Sequence, residues 1–200
     1  MINRVLAAAF TLLALTAPFA DATTLARVEL SELYADAHIV AEVQIASGES
    51  LGMGRDSCGA KYKARVEVAF KGAQAGELIE FGYFHGYEIG SRYILFLSRH
   101  EREYSASTNS RDMADAQASR ARCSRHLTVS SVMHSGNGAL LVNWASQLQF
   151  KDGVLVRTRY VRLPEGTKTE PAVPGENEQF SDPVWVRLTD FERILHDFGK

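Results

Sequence analysis

The chain reads as a mainly β protein with flanking short helices and a strand-rich C-terminal part that ends in a helix. Three observations predict this. Several segments alternate apolar and polar residues with a period of two; each is followed by a glycine-bearing or polar break; and the C-terminus carries an amphipathic helical stripe.

In chain order, "ELSELYADA" (29–37) places Leu30, Leu33, Tyr34 and Ala37 at helical spacing and predicts a short helical turn. "HIVAEVQIA" (38–46) puts Ile39, Ala41, Val43 and Ile45 on one strand face, with Glu42 and Gln44 on the other. The three glycines of "SGESLGMGRDS" invite comparison with a phosphate-binding loop, but no Lys-Ser or Lys-Thr pair closes the run, so a hairpin connection is expected. "CGAKYKARVEVAFKG" (58–72) is the most regular strand: Tyr62, Ala64, Val66, Val68 and Phe70 face one way, Lys63, Arg65, Glu67 and Lys71 the other. "LIEFGYF" (78–84) alternates at Ile79, Phe81 and Tyr83. "RYILFLS" (92–98) is apolar on both faces from Ile94 to Leu97, which predicts a central strand buried on both sides.

Residues 99–122 are polar and poor in core formers, as expected of a long surface excursion. Beyond them, "ALLVNW" (139–144) is a candidate strand, and "LQFKDGVLVRTRYVRL" (148–163) reads as a hairpin turning at Asp152-Gly153. Residues 164–183 hold four of the 5 prolines and predict an extended connection. After the short strand "VWV", "LTDFERILHDFG" (188–199) predicts a helix with Thr189 and Glu192 at capping-box spacing and a stripe of Phe191, Ile194, Leu195 and Phe198.

The N-terminus predicts export. "MINR" is a short basic n-region, "VLAAAFTLLALTAPF" an apolar run too short to span a bilayer, and "ADA" a small-residue cleavage signal. Residues 1–22 are therefore expected to be a signal peptide cut between Ala22 and Thr23, leaving a secreted or periplasmic chain with no membrane span. The formal net charge of −2 gives no basic excess that would call for nucleic acid.

An exported chain permits disulfides, and the sequence has 2 cysteines, Cys58 and Cys123. One intramolecular bridge is the favoured reading; a reactive thiol, a metal-ligand pair and an intermolecular bridge are the alternatives.

The order "YADAHIVAEV", "CGAKYKARVEVAFKG", "GELIEF", "GSRYILFL", "CSRH" resembles the netrin-like modules related to tissue inhibitors of metalloproteinases, in particular small exported bacterial relatives. The resemblance covers roughly residues 29–126. It implies a five-stranded, partly open OB-type barrel, and it implies that Cys58 and Cys123 are structural cysteines. A domain organisation follows: signal peptide 1–22, netrin-like OB-fold domain 23–126, and a C-terminal extension 127–200 packed on the barrel. The sequence departs from the animal inhibitors at one place. Those chelate the protease zinc through a mature N-terminal cysteine, whereas "TTLARVELSELY" has none before Cys58, so that mechanism is not carried over.

Chemical motifs are sparse. The 6 histidines form no His-x-x-x-His or His-x-His pair, and a zinc site would need distant members such as His85, His126 and His134. No Gly-x-Ser-x-Gly element is present, and Glu101 and Glu103 fall in a charged run that reads as a solvated face. Arg157, Arg159 and Arg162, with Lys63 and Arg65, are candidates for a basic strand face of the kind OB barrels offer to single strands. The aromatics of "GYFHGYE" (82–88) are candidates for stacking on a ligand, with completion of the core at the strand end the stronger reading. No catalytic residue, metal or cofactor is assigned. The expectation is a non-enzymatic binding module whose partner is a protein or an envelope polymer rather than nucleic acid, with protease inhibition without the N-terminal cysteine as the alternative.

Overall fold

The computed structural model describes residues 27–52, 58–82, 86–99, 123, 130–143, 152–172 and 182–200. The expected signal peptide and its cleavage point lie outside these residues.

Strand β1 (Val28–Glu29) leads into helix α1 (Leu30–Asp36), whose Glu32 carboxylate accepts the Glu29 N–H at 3.4 Å, the reach-back half of a capping box. Leu30, Leu33 and Tyr34 are its buried residues, as the helical spacing predicted. Then follow β2 (Ile39–Ser50), β3 (Ala60–Lys71), β4 (Leu78–Gly82), β5 (Arg92–Arg99) and β6 (Ser130–Val132). β2 pairs with β3 and β5, β3 with β4, β5 with β6, and β4 with β6. The circuit β2-β3-β4-β6-β5-β2 is therefore closed. Every pairing in it is antiparallel except β4–β6, which is parallel. This is a five-stranded barrel with OB-type connectivity. The closing strand, β6, lies past residue 126, the end expected for the barrel segment.

Beyond the barrel come β7 (Ala139–Asn143), β8 (Gly153–Arg157), β9 (Val161–Arg162), β10 (Glu170–Pro171), β11 (Pro183–Arg187) and helix α2 (Leu188–Phe198). They join the barrel through β5. Residues 92–95 of that strand pair with β7, while 97–99 pair with β6. Between the two sets the chain leaves the ladder from Met133 to Gly138, and Phe96 spans the gap with bonds to Met133 N–H and the Gly138 carbonyl. From β7 the sheet runs on through β8 and β11 to β10, and β9 pairs separately with β1.

β5 consequently has two buried faces, as its sequence predicted. Tyr93, Leu95 and Leu97 enter the barrel core with Val43, Ile45, Tyr62, Val66 and Phe81; Ile94 and Phe96 enter a second core with Val40, Val154, Val156 and Val186, roofed by α1 and α2. The extension is thus packed on the outside of the barrel with its own apolar layer. Three local expectations change. Phe70, expected on the face of Tyr62, Ala64 and Val66, packs against the second core instead, while Ala69 packs against the barrel core. Gly153 does not form a hairpin tip: it is already in the ladder, opposite both Asn143 and Arg187. Thr189 is not the helix cap, because α2 starts at Leu188, whose N–H is taken by the Asp152 carbonyl at 3.1 Å.

Candidate functional site

The barrel wall has two unlike outer surfaces. Along β2 and β5 it is covered by the helices and the second core. Along β3 and β4 the outward side chains are in water: Lys63, Arg65, Glu67, Leu78 and Glu80 are exposed, and Leu78 keeps 56% of its surface accessible. Strand alternation dictates this, since Tyr62, Ala64, Val66, Ile79 and Phe81 take the inward positions. The face is charged but balanced. Lys63 pairs with Glu80 at 3.3 Å, and Lys61 with Glu49 at 3.8 Å. Such exposed pairs stabilise little and rearrange readily.

One end of this face is fixed by the disulfide between Cys58 and Cys123, whose Cα atoms are 5.4 Å apart. Cys58 precedes β3 and Cys123 lies in the chain joining β5 to β6, so the bridge ties together the two connections that flank the ligand face in OB barrels. Both sulfurs are buried with Leu51 in a small satellite core.

The Lys-Gly pair ending β3 is structural. The Lys71 ammonium donates to the Tyr34 and Ala35 carbonyls at 2.9 and 2.8 Å, occupying the C-terminal end of α1, and it lies over the Tyr34 ring. Gly72 has φ +69°, and any Cβ there would collide with the His38 carbonyl.

Two polar arrangements, around Glu42 and around His38, were not legible beforehand. Glu42, only 2% exposed, is held by Arg92 through Nε at 2.8 Å and Nη2 at 2.6 Å; Asp152 is 3.7 Å from the same guanidinium. Glu192, on the flank of α2, is half-buried beside this group, and burial first, then the Glu42 charge, raises its carboxyl above the usual range. His38 shares a 3.1 Å hydrogen bond between its Nε2 and the Ser130 hydroxyl, while its Nδ1 is buried with no hydrogen-bond partner among the described residues. Tyr87 packs on Tyr62, Phe81 and Tyr93 with ring centroids 5.1–5.5 Å away. Burial, then the neighbouring Tyr62 and Tyr93, pushes its phenol far above the usual range. For Tyr87 the aromatics of 82–88 therefore finish the core; Tyr83, Phe84 and His85 lie outside the described residues.

The basic residues considered together in the sequence are not brought together. Lys63 and Arg65 are on β3, whereas Arg157 ends β8, with β7, β5 and β2 intervening in the sheet order. Arg162 pairs with Glu29 at 2.7 Å. His134 sits in the one-turn helix His134–Gly136, and His85, His126, Glu101 and Glu103 lie outside the described residues. Among the described residues there is no group of three or more His, Cys, Asp or Glu able to hold a metal, and no helix long and apolar enough to cross a membrane.

No family model, curated protein or solved structure matches the chain. The barrel is accordingly established by its strand order, as an OB-type barrel in general terms.

Proposed function

We propose that the protein is an exported, non-enzymatic binding module, of netrin-like descent, which recognises a protein or envelope-polymer partner through the outer face of β3 and β4. The observation that carries this reading is the contrast between the barrel's two outer surfaces. One is buried beneath α1, α2 and the C-terminal strands; the other presents Lys63, Arg65, Glu67, Leu78 and Glu80 to water beside a disulfide-tied pair of connections.

The chemistry of the face favours a partner with mixed charge over nucleic acid. Lys61 and Lys63 already have carboxylate partners, and a single-strand reader combines a uniformly basic groove with stacking aromatics. The non-enzymatic reading is supported by what the buried Glu42 and the partly buried Lys71 do: Glu42 is engaged by Arg92, and Lys71 by the end of α1. The signal-peptide pattern of residues 1–22 supports a secreted or periplasmic location.

The test is affinity capture with the protein from the secreted or periplasmic fraction at low salt, comparing wild type with a Lys63→Glu, Arg65→Glu double variant. A partner retained by the first and lost by the second is the expected result; no retention at low salt counts against the proposal. The same preparation assayed against secreted metalloproteases distinguishes the alternative, since inhibition at stoichiometric concentration would assign an inhibitor working without an N-terminal cysteine.

A further inference from the structure

Leu78 and Ile89 are the large hydrophobic side chains left most exposed among the described residues, at 56% and 66% of their surface. Exposed apolar side chains scattered singly are ordinary on a soluble protein. These two stand at the ends of one row that crosses the strands. Leu78 of β4 is opposite Arg65 of β3, and Arg65 is opposite Gln44 of β2. The Gln44 amide donates to the Gly90 carbonyl at 3.0 Å, and the Gly90 N–H bonds to the Ile45 carbonyl at 2.8 Å. The turn that bears Ile89 is thereby fixed beside Gln44. Leu78, Arg65, Gln44 and Ile89 are all exposed. Three strand spacings make the row about 14 Å long, which an extended segment of about five residues covers.

Arg65, the cation of the row, forms no ion pair among the described residues. Its neighbours on β3 do: Lys63 pairs with Glu80 at 3.3 Å and Lys61 with Glu49 at 3.8 Å. The carboxylates next to Leu78 and Ile89 in sequence are engaged locally. Glu77 accepts the Gln74 N–H at 3.0 Å, and Glu88 accepts the Ser91 hydroxyl at 3.2 Å. Glu67 is exposed further along β3, outside the row. A guanidinium with apolar surface on either side suits a single carboxylate gripped through two N–H groups, with the aliphatic neighbours excluding water around it. An anionic polymer would draw on a run of like charges and gain nothing from Leu78 and Ile89.

We propose that this row docks a protein segment presenting one Asp or Glu between two apolar side chains, the carboxylate meeting Arg65 and the apolar groups covering Leu78 and Ile89. Docking here rests on the binding function proposed above, with the centre of the face moved from Lys63 and Glu80 toward β2 and the turn before β5.

The experiment selects a phage-displayed library of random linear peptides on the intact protein. The enriched peptides are then titrated against wild type, Arg65→Gln, Leu78→Ser, Ile89→Ser and Lys63→Gln. Peptides with an acidic residue flanked by apolar ones within about five positions are the expected product. Each of the three row variants is expected to weaken them about ten-fold or more, and Lys63→Gln to change little. All four positions are exposed or at the surface of β3 and β4, so equal urea midpoints check that the fold is kept. Enriched peptides without a carboxylate, equal affinity for Ile89→Ser and wild type, or no enrichment at all overturns the proposal. So does self-association abolished by Leu78→Ser, which would assign the row to a second copy. Dextran sulfate binding lost in Arg65→Gln but kept in Leu78→Ser and Ile89→Ser would assign it to an anionic polymer, with the same consequence. Peptides lost in Lys63→Gln yet kept by Ile89→Ser would sink the row and leave the β3–β4 face standing, so the two proposals fail separately.

Discussion

Arg92 reaches across from β5 to hold the carboxylate of Glu42 at 2.6 Å, the carboxylate buried and the guanidinium still partly in water. The pair belongs to the barrel, yet its environment is made by the extension. Glu42 is buried because α2 and its neighbouring strands cover that side.

Breaking this pair from one side leaves a buried charge. Arg92→Met should destabilise the protein by about 3 kcal/mol, the lower end for a buried pair because water still reaches part of the guanidinium. A double replacement, Arg92→Met with Glu42→Leu, should recover much of that loss. Urea denaturation of the three proteins measures both; equal losses in the single and double variants would refute the assignment.

Glu192 gives the stability of the protein a pH signature. Its carboxyl is raised by burial and by Glu42, with Asp152 acting in the same direction and His196 and Arg92 against it. The folded state therefore retains the proton better than the unfolded chain. Its stabilising contribution is present at low pH and lost as pH rises through the raised value. Glu192→Gln should increase the thermal midpoint at pH 8 and leave it unchanged at pH 4; an equal shift at both would show that charge is not the cause.

The end of β3 should tolerate no side chain at residue 72. Gly72→Ala must adopt a positive φ and also displace the His38 backbone, a combined cost of about 2 kcal/mol or more. Lys71→Met removes the cation at the end of α1 and should cost about 1 kcal/mol. Equilibrium unfolding would check the ranking, with Gly72→Ala the worse of the two.

The disulfide closes a separation of 65 residues. Replacing both cysteines with serine should cost about 4 kcal/mol on the chain-entropy account. A loss under about 1 kcal/mol, read from denaturation midpoints, would mean that the unfolded chain is already constrained there.

What could be read from the sequence follows from range. β2 to β5 declare themselves because alternation is a property of neighbouring residues, and the doubly apolar run Ile94–Leu97 announced its central position in the same way. β6 did not, because "SSV" is too short and too polar to carry a period, although it closes the barrel. Glu42 was legible as facing away from Ala41 and Val43, which is correct; that another layer would cover it depends on α2, almost 150 positions later, and local patterning holds no trace of that. The α2 cap was misplaced by two residues, Thr189 for Arg187, for a similar reason: the helix's first N–H is satisfied by the Asp152 carbonyl from the adjoining chain rather than by a local side chain. The Lys-Gly landmark of the family resemblance has a structural duty, with Lys71 holding the end of α1 against β3 and Gly72 admitting the close approach of the His38 carbonyl.

The most direct measurement of the central claim is site-specific photocrosslinking in the exporting cell, with the photoreactive residue placed at position 65 or 80 on the β3–β4 face, or at position 193 on the outer side of α2. Adducts to a partner from 65 and 80, and none from 193, are the predicted result. Adducts from 193 alone would place recognition on the C-terminal helix and contradict the assignment of the barrel face.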